Sequence, residues 1–406
     1  MLSTTASNIQ GYLPSTEALW LGLIVLSVLL SYAWLLYPLL HGRFHHIPGP
    51  CWHRKHGPVI VIAPNEVSVA DLEGTRDVYK ATGRWAKSSY FDHFQGYGMR
   101  SVFATKPYEE HRKKRKYTSA FYQASTIYTV PEIEQHIKAR SLAFLNQVGA
   151  GQAVDVYSLT SWFAFDNITF LVLGPEYSTC SVDQLCPERG ILAGLKSQQF
   201  FGPFRHRYPQ LYKFVSRILQ TLSSSFYYLS ADDALALWCQ QQFYTVAQDP
   251  CLSKSHSLVR HLLETEEIEA DEGPAYLQYI AAEVLDNINA AEATVAVTAT
   301  YLIWTLTQVY PDPSSFSPER WLEGDEKSQK LSDRYLMPFG YGGRLCLGKA
   351  LATMELKMLI ASLYLEHESL PTTMTNAGTM KQCSTHDAVP KGLRCVVQFR
   401  KTELSN

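Results

Sequence analysis

An apolar block dominates the first forty positions. Ala18 to Leu36 (ALWLGLIVLSVLLSYAWLL) holds nineteen residues without a charge. At 1.5 Å per residue that is about 28 Å of helix, the thickness of a bilayer core. Trp20, Trp34 and Tyr37 stand near its ends, where amphipathic rings favour the interface. Glu17 is the one charged side chain before it, and Arg43, Arg54 and Lys55 follow, so the positive-inside rule places the bulk of the chain in the cytosol. Neither a basic leader nor a small-residue cleavage site frames the run, so the pattern predicts an uncleaved transmembrane helix rather than a signal peptide.

The pattern then changes period. His46-Ile47-Pro48-Gly49-Pro50 cannot continue a helix, because proline lacks an N–H and biases the residue before it away from α; it reads as a stiff hinge. Val59 to Ile62 and Val67 to Val69, around Pro64-Asn65, predict a β-hairpin. From about Asp71 to Leu263 the spacing is mostly helical, punctuated at Gly96 to Gly98, Gly149 to Gly151, Gly174-Pro175 and Gly202-Pro203. Glu264 to Glu272 carries six acids in nine positions and predicts a solvated loop or helix face. Ala275 to Tyr310 follows with no Gly or Pro. A helix of that length with so few charges must be buried along much of its course, so it is expected to cross the middle of the domain.

Composition narrows the function. The 406 residues are 46% hydrophobic and 18% charged, which excludes a disordered polymer. Lys+Arg 36 against Asp+Glu 38 leaves no basic surplus for a phosphate backbone, and no nucleic-acid partner is expected. None of the eight cysteines forms a C-x-x-C step, so a zinc module is not expected and most should be packed thiols.

The chemistry lies near the C-terminus. Phe339-Gly340-Tyr341-Gly342-Gly343-Arg344-Leu345-Cys346-Leu347-Gly348 runs directly into the helical stretch Lys349 to Tyr364. Glycines there let the backbone take left-handed angles and approach a planar ligand closely. The helix dipole at Cys346 favours a thiolate, and such a thiolate suits haem iron as an axial ligand. Arg344 is placed to pair with a haem propionate.

These residues resemble the haem-thiolate signature of the cytochrome P450 family, F-x-x-G-x-R-x-C-x-G, complete here as Phe339, Gly342, Arg344, Cys346 and Gly348. Phe316-Ser317-Pro318-Glu319-Arg320-Trp321 is similar to the family's "PERF/PERW" stretch. The resemblance implies a mainly α fold with small β-sheets, with residues 1–47 as membrane anchor and hinge and 48–406 as the haem-thiolate catalytic domain. It implies that the long helix passes over the haem, with Ala290-Ala291-Glu292-Ala293-Thr294 at the oxygen site and Thr294 as proton-relay residue. The acid that the family places directly before this threonine is Ala293 here. Glu292 stands one position earlier, about 100° round the helix, and need not face the same pocket. His111 and Arg115, four apart within the basic run His111 to Lys116, match the family's propionate-binding positions. The remaining lysines of that run are expected on an exposed patch that docks an acidic reductase.

One family element is missing. The only Glu-x-x-Arg spacings are Glu73-Arg76 and Glu109-Arg112, far from the place between the long helix and the cysteine loop where the family carries that motif, and Thr294 to Cys346 leaves no room for it. The expected function is a haem-thiolate monooxygenase anchored in the endoplasmic reticulum membrane. It would take electrons from NADPH-cytochrome P450 reductase, use O2 and hydroxylate a small lipophilic substrate in secondary metabolism. The substrate pocket is expected along Tyr90 to Val102, Ile288 to Ala293 and Ala388 to Leu393. The alternative is a truncated, catalytically inactive relative acting as a membrane-anchored binding or regulatory protein.

Overall fold

The computed structural model describes residues 16–32, 59–63, 66–149, 151–249, 256–308, 336–384 and 387–402. The hinge at His46 to Pro50, the Phe316 to Trp321 stretch and the seams at Pro50 and Tyr310 lie outside them. Two units are present, residues 1–83 and 84–406.

In the first unit, α1 (Thr16–Ser31) covers the front of the apolar block, and Ile24, Leu26, Val28 and Leu30 on it are exposed. Strands β1 (Val59–Ala63) and β2 (Glu66–Val69) form the expected antiparallel hairpin, with Val59 opposite Val69 and Val61 opposite Val67. Its sheet has only these two strands among the described residues. Helix α2 (Leu72–Tyr79) is started by Asp71, whose carboxylate accepts the Gly74 N–H at 2.6 Å.

The second unit is built on helices. The basic run lies on α3 (Tyr108–Ser119), and α4 (Pro131–Val148) starts on a proline at its first position. Strand β3 (Ala153–Asp155) leads into α5 (Val156–Leu173). Helix α5 is long and apolar enough to cross a membrane by composition, yet all but two of its residues are buried. It is apolar on every side because every side is covered, which makes it the core helix. Its one acid, Asp166, is fully buried and accepts from the Thr179 hydroxyl at 2.7 Å and from the N–H groups of Ser181 at 2.7 Å and Val182 at 3.0 Å. The strand-free run after Leu173 contains α6 (Pro187–Gln198), α7 (Gly202–Arg207), α8 (Pro209–Leu222), α9 (Ala231–Ala247), α10 (Leu258–Leu263) and α11 (Glu266–Glu272).

The long helix is α12 (Tyr276–Gln308), 33 residues, packed chiefly along α5. Ile280, Val284, Ile288, Ala296, Ala299 and Ile303 enter the same apolar core as Phe144, Phe163, Phe165 and Leu171. Helix α13 (Lys349–Glu366) buries Leu351, Leu359 and Leu363 into it. The chain ends in β4 (His367–Pro371), β5 (Gln382–Ser384), β6 (Ala388–Pro390) and β7 (Val396–Lys401). β7 is the central strand of an antiparallel sheet, with β3 and β4 on either side, and β5 pairs with β6. Helices thus form most of the unit and the sheets are small, as the sequence predicts.

One surface expectation fails at a single residue: Lys113 and Lys116 are exposed, but Lys114 is buried, its ammonium donating to the Arg100 carbonyl at 2.9 Å and paired with Glu272 at 3.0 Å. The acidic run is a solvated helix face, as expected, with Ile268 the buried residue of α11. Asp271 pairs with Lys113 and accepts the Tyr117 hydroxyl, so α3 and α11 neutralise each other across the fold.

Candidate functional site

Glycine conformation shapes the loop before α13. Gly340 and Gly342 take φ +74° and +65°, angles that cost a side-chain-bearing residue. The loop closes on itself when the Cys346 N–H donates to the Phe339 carbonyl at 2.9 Å and the Leu345 N–H to the Gly342 carbonyl at 3.2 Å. Gly348 then caps α13, and a Cβ built on it would meet nothing within 4 Å.

Cys346 is exposed, although burial is the strongest influence on its thiol. Burial raises the thiol above its ordinary value, while the Gly348 N–H and the Arg115 guanidinium pull it down less strongly. The helix terminus thus acts in the expected direction through the Gly348 N–H, while desolvation of a small anion opposes it. A bound metal cation reverses this balance outright.

Around the same loop, basic groups converge. The Arg115 guanidinium donates to the Leu345 carbonyl at 2.6 Å. Arg344 Nη2 reaches the carbonyls of Trp85 at 3.2 Å and Lys106 at 3.3 Å, while its Nη1 is buried without a partner among the described residues. His111 is buried and pushed down to about 3, first by burial and then by Arg344, Lys87 and Arg115. Lys87 falls to about 8 for the same reasons, burial and then Arg344, with Asp286 opposing and Arg115 adding to the drop. Lys87 was not expected from the sequence, because no motif or helical spacing marks it. The structure brings His111, Arg115 and Arg344 together and adds Lys87.

On α12 the exposed positions Ala290, Thr294 and Thr298 fall on one stripe, and Gln278 and Asn289 are exposed as well. The Thr294 hydroxyl donates back to the Ala290 carbonyl at 2.8 Å, which leaves its oxygen able to accept a proton donor. Glu292 points elsewhere, as its angular position predicts: it is 8% exposed and accepts the Ser161 hydroxyl of α5.

A cavity of about 240 Å³ lies beside this helix, walled by His93 to Gly96, by α6 and α9, by Asp286, Asn289, Glu292 and Ala293, and by Asp387. This agrees with the expected loop and helix walls. The C-terminal wall is Asp387, just before the expected segment, and Thr294 and Cys346 are not among the lining residues. The walls carry more charge than a lipophilic ligand needs.

The cytochrome P450 family model matches residues 32–308 and 302–381. The chain belongs to the cytochrome P450 family. As a P450 it is a haem-thiolate oxidoreductase of the monooxygenase class. The two matched pieces overlap at residues 302–308. The cytochrome P450 monooxygenase FGM1 of Gibberella zeae is 29% identical over 475 aligned positions, covering 88% of this chain and 93% of the relative. That alignment is longer than the 406-residue chain, so the relative has residues without a counterpart here. The N-acetyltryptophan 6-hydroxylase ivoC of Emericella nidulans is 35% identical over 95 residues, 23% of this chain and 19% of the relative. A crystal structure of a cytochrome P450 superposes with a TM-score of 0.65 at 13% identity, covering 86% of this chain and 96% of that one, a likeness of fold.

The residues present fit the family's haem. An exposed sulfur, exposed positions on α12 and the basic groups Lys87, Arg115 and Arg344 beside His111, with one Arg344 N–H buried and unpartnered among the described residues, suit a planar group bearing two carboxylates.

Proposed function

We propose that this P450 hydroxylates a small molecule of fungal secondary metabolism. The observation that carries this reading is the convergence of the cations Lys87, Arg115 and Arg344 and the neutral imidazole of His111 around the Cys346 loop. Cys346 would ligate the iron, with Phe339, Gly342 and Gly348 shaping the loop, and Arg344, Arg115 and His111 holding the propionates. When bound, the haem supplies reductive activation of O2 and insertion of one oxygen atom into a C–H bond. The chain's own part is to hold the ligand sulfur, balance two carboxylates and pass protons at the Thr294 hydroxyl. Electrons would come from NADPH-cytochrome P450 reductase docked near α3.

Residues 1–47 would anchor the protein in the endoplasmic reticulum membrane, leaving 48–406 as the catalytic domain. The apolar run from Ala18 supports this. So does α8, where Leu211, Phe214, Val215, Ile218 and Leu222 form an exposed stripe at helical spacing and Lys213 and Arg217 share the helix. The missing Glu-x-x-Arg spacing between the long helix and the cysteine loop favours the second reading, an inactive anchored relative. Carbon monoxide difference spectroscopy on the reduced, membrane-expressed protein separates the two. A thiolate-type Soret band supports the monooxygenase, and its absence with haem in excess leaves the second reading.

A further inference from the structure

The cavity beside α12 has an electrostatic character that haem chemistry does not use. Its two strong bases are engaged by acids: Arg205 pairs with Asp232, and Lys196 with Asp155 at 3.5 Å, outside the cavity wall. Lys196 also donates to the Ser158 hydroxyl at 2.7 Å. Glu292, more than nine-tenths buried, faces this space with one carboxylate oxygen held by Ser161, and it forms no ion pair among the described residues. Asp387, whose carboxylate accepts from Gln199 at 3.0 Å, brings a second negative charge to the same cavity.

Asp233 and Asp286 line the same cavity, so its carboxyl groups repel one another, and burial adds to the cost. Glu292 is held up to about 7, by burial first, with Asp387 adding to the rise and the Ser161 hydroxyl and Lys196 opposing it. Such a carboxyl ionises fully when a cation arrives beside it. Ala293, on the same wall, directly precedes Thr294, so a ligand held there lies against the helix that carries the oxygen-site stripe.

We propose that Glu292, assisted by Asp387, binds the ammonium group of an amine-bearing substrate. The acid that stands one place early on α12 thereby serves substrate recognition in place of proton delivery. This rests on the hydroxylase reading of the cavity. It narrows the substrate class from lipophilic to amphiphilic and basic.

The test uses the full chain loaded with haem and three probes that share a phenylethyl frame: 2-phenylethylamine, 2-phenylethanol and 3-phenylpropionate. Calorimetry should show the amine bound at least about tenfold more tightly than the alcohol, the span of one charge-assisted hydrogen bond, and the carboxylate most weakly. Glu292→Gln should erase the amine's advantage and leave alcohol binding unchanged; Asp387→Asn should reduce it by about two- to threefold. Equal binding of amine and alcohol, tightest binding of the carboxylate, or a preference that survives both substitutions overturns the proposal. An absorption shift typical of nitrogen bound to iron would also overturn it, by showing the amine at the metal. The carbon monoxide spectrum, recorded on the same samples, reports on the haem-thiolate reading separately, because Glu292→Gln should not alter it.

Discussion

Replacing Arg115 by Met separates the two tasks of the basic cluster. In the protein without haem, Arg115 contributes one hydrogen bond from a charged donor, 2.6 Å to the Leu345 carbonyl, and such bonds are worth about 1.5–3 kcal/mol. It also repels Lys87 and Arg344, and that repulsion disappears with the charge. Urea unfolding of apoprotein should therefore show a loss below about 3 kcal/mol. With haem bound, the repulsion is already screened by the propionates, and the substitution removes an anchoring contact with nothing in return. A second contact of the same class corresponds to roughly ten- to hundredfold faster haem loss, read as transfer to an excess of acceptor apoprotein. Arg115→Lys keeps the charge without the planar fork and should fall between. If haem loss is unchanged while the apoprotein is destabilised by more than about 3 kcal/mol, the residue is a structural strut and the cradle argument is wrong.

Four further outcomes follow from the same contacts. Cys346→Ala should remove the thiolate-type Soret band of the carbon monoxide complex, and a variant that keeps it refutes the ligand assignment. Thr294→Ala should raise peroxide released per NADPH consumed while leaving haem content unchanged; unaltered coupling counts against proton delivery there. Glu283 on α12 is fully buried, accepts the Val102 N–H at 2.6 Å and is held up to about 8 against an ordinary 4.5, mainly by burial. Its protonated form is thus favoured by folding, so its contribution is complete below about pH 4.5 and is lost as pH rises through 8. Melting temperatures should then shift in favour of Glu283→Gln between pH 5 and 8, and a gap that moves the other way contradicts this. Asp166→Asn turns one acceptor into a donor against the Ser181 and Val182 N–H groups and should lower the unfolding free energy by about 1–3 kcal/mol for each donor left unsatisfied; wild-type stability would show that another group takes over.

The features legible from sequence are those whose signal is local. Thirty-six positions without Gly or Pro became a 33-residue helix, and a one-residue offset was enough to turn Glu292 away from Thr294. The cysteine loop was readable because only a glycine-rich turn running into a helix builds it. What escaped the sequence depends on partners distant in the chain. Lys113 and Asp271 are 158 residues apart, so charge patterning within either segment predicts solvation, and only the tertiary fold makes them neutralise each other. Lys87 joins the cradle through loop geometry that no periodicity encodes. The thiol's direction required knowing how much protein surrounds Cys346.

The shortened stretch between α12 and the cysteine loop bears on whether the scaffold around the site holds. On α13, positions 351, 355, 359 and 363 fall on one stripe, and three of them are leucines in the core. The fourth is Glu355, 1% exposed, with neither carboxylate oxygen partnered among the described residues. Burial alone holds it well above the carboxylate range, so it sits in the fold as a neutral acid with unmet hydrogen bonds, a cost to stability. That cost falls on the face of α13 directed into the protein. The haem-side residues Cys346 and Gly348 precede the helix and owe their positions to the loop's own hydrogen bonds. The cost of this buried acid therefore falls on the stability of the scaffold and not on the ligand loop. Glu355→Leu, completing the leucine stripe, should raise the unfolding temperature and leave the Soret position of haem-loaded protein where it was. A stabilised variant with a displaced Soret band would mean that the buried acid and the cysteine loop are coupled after all.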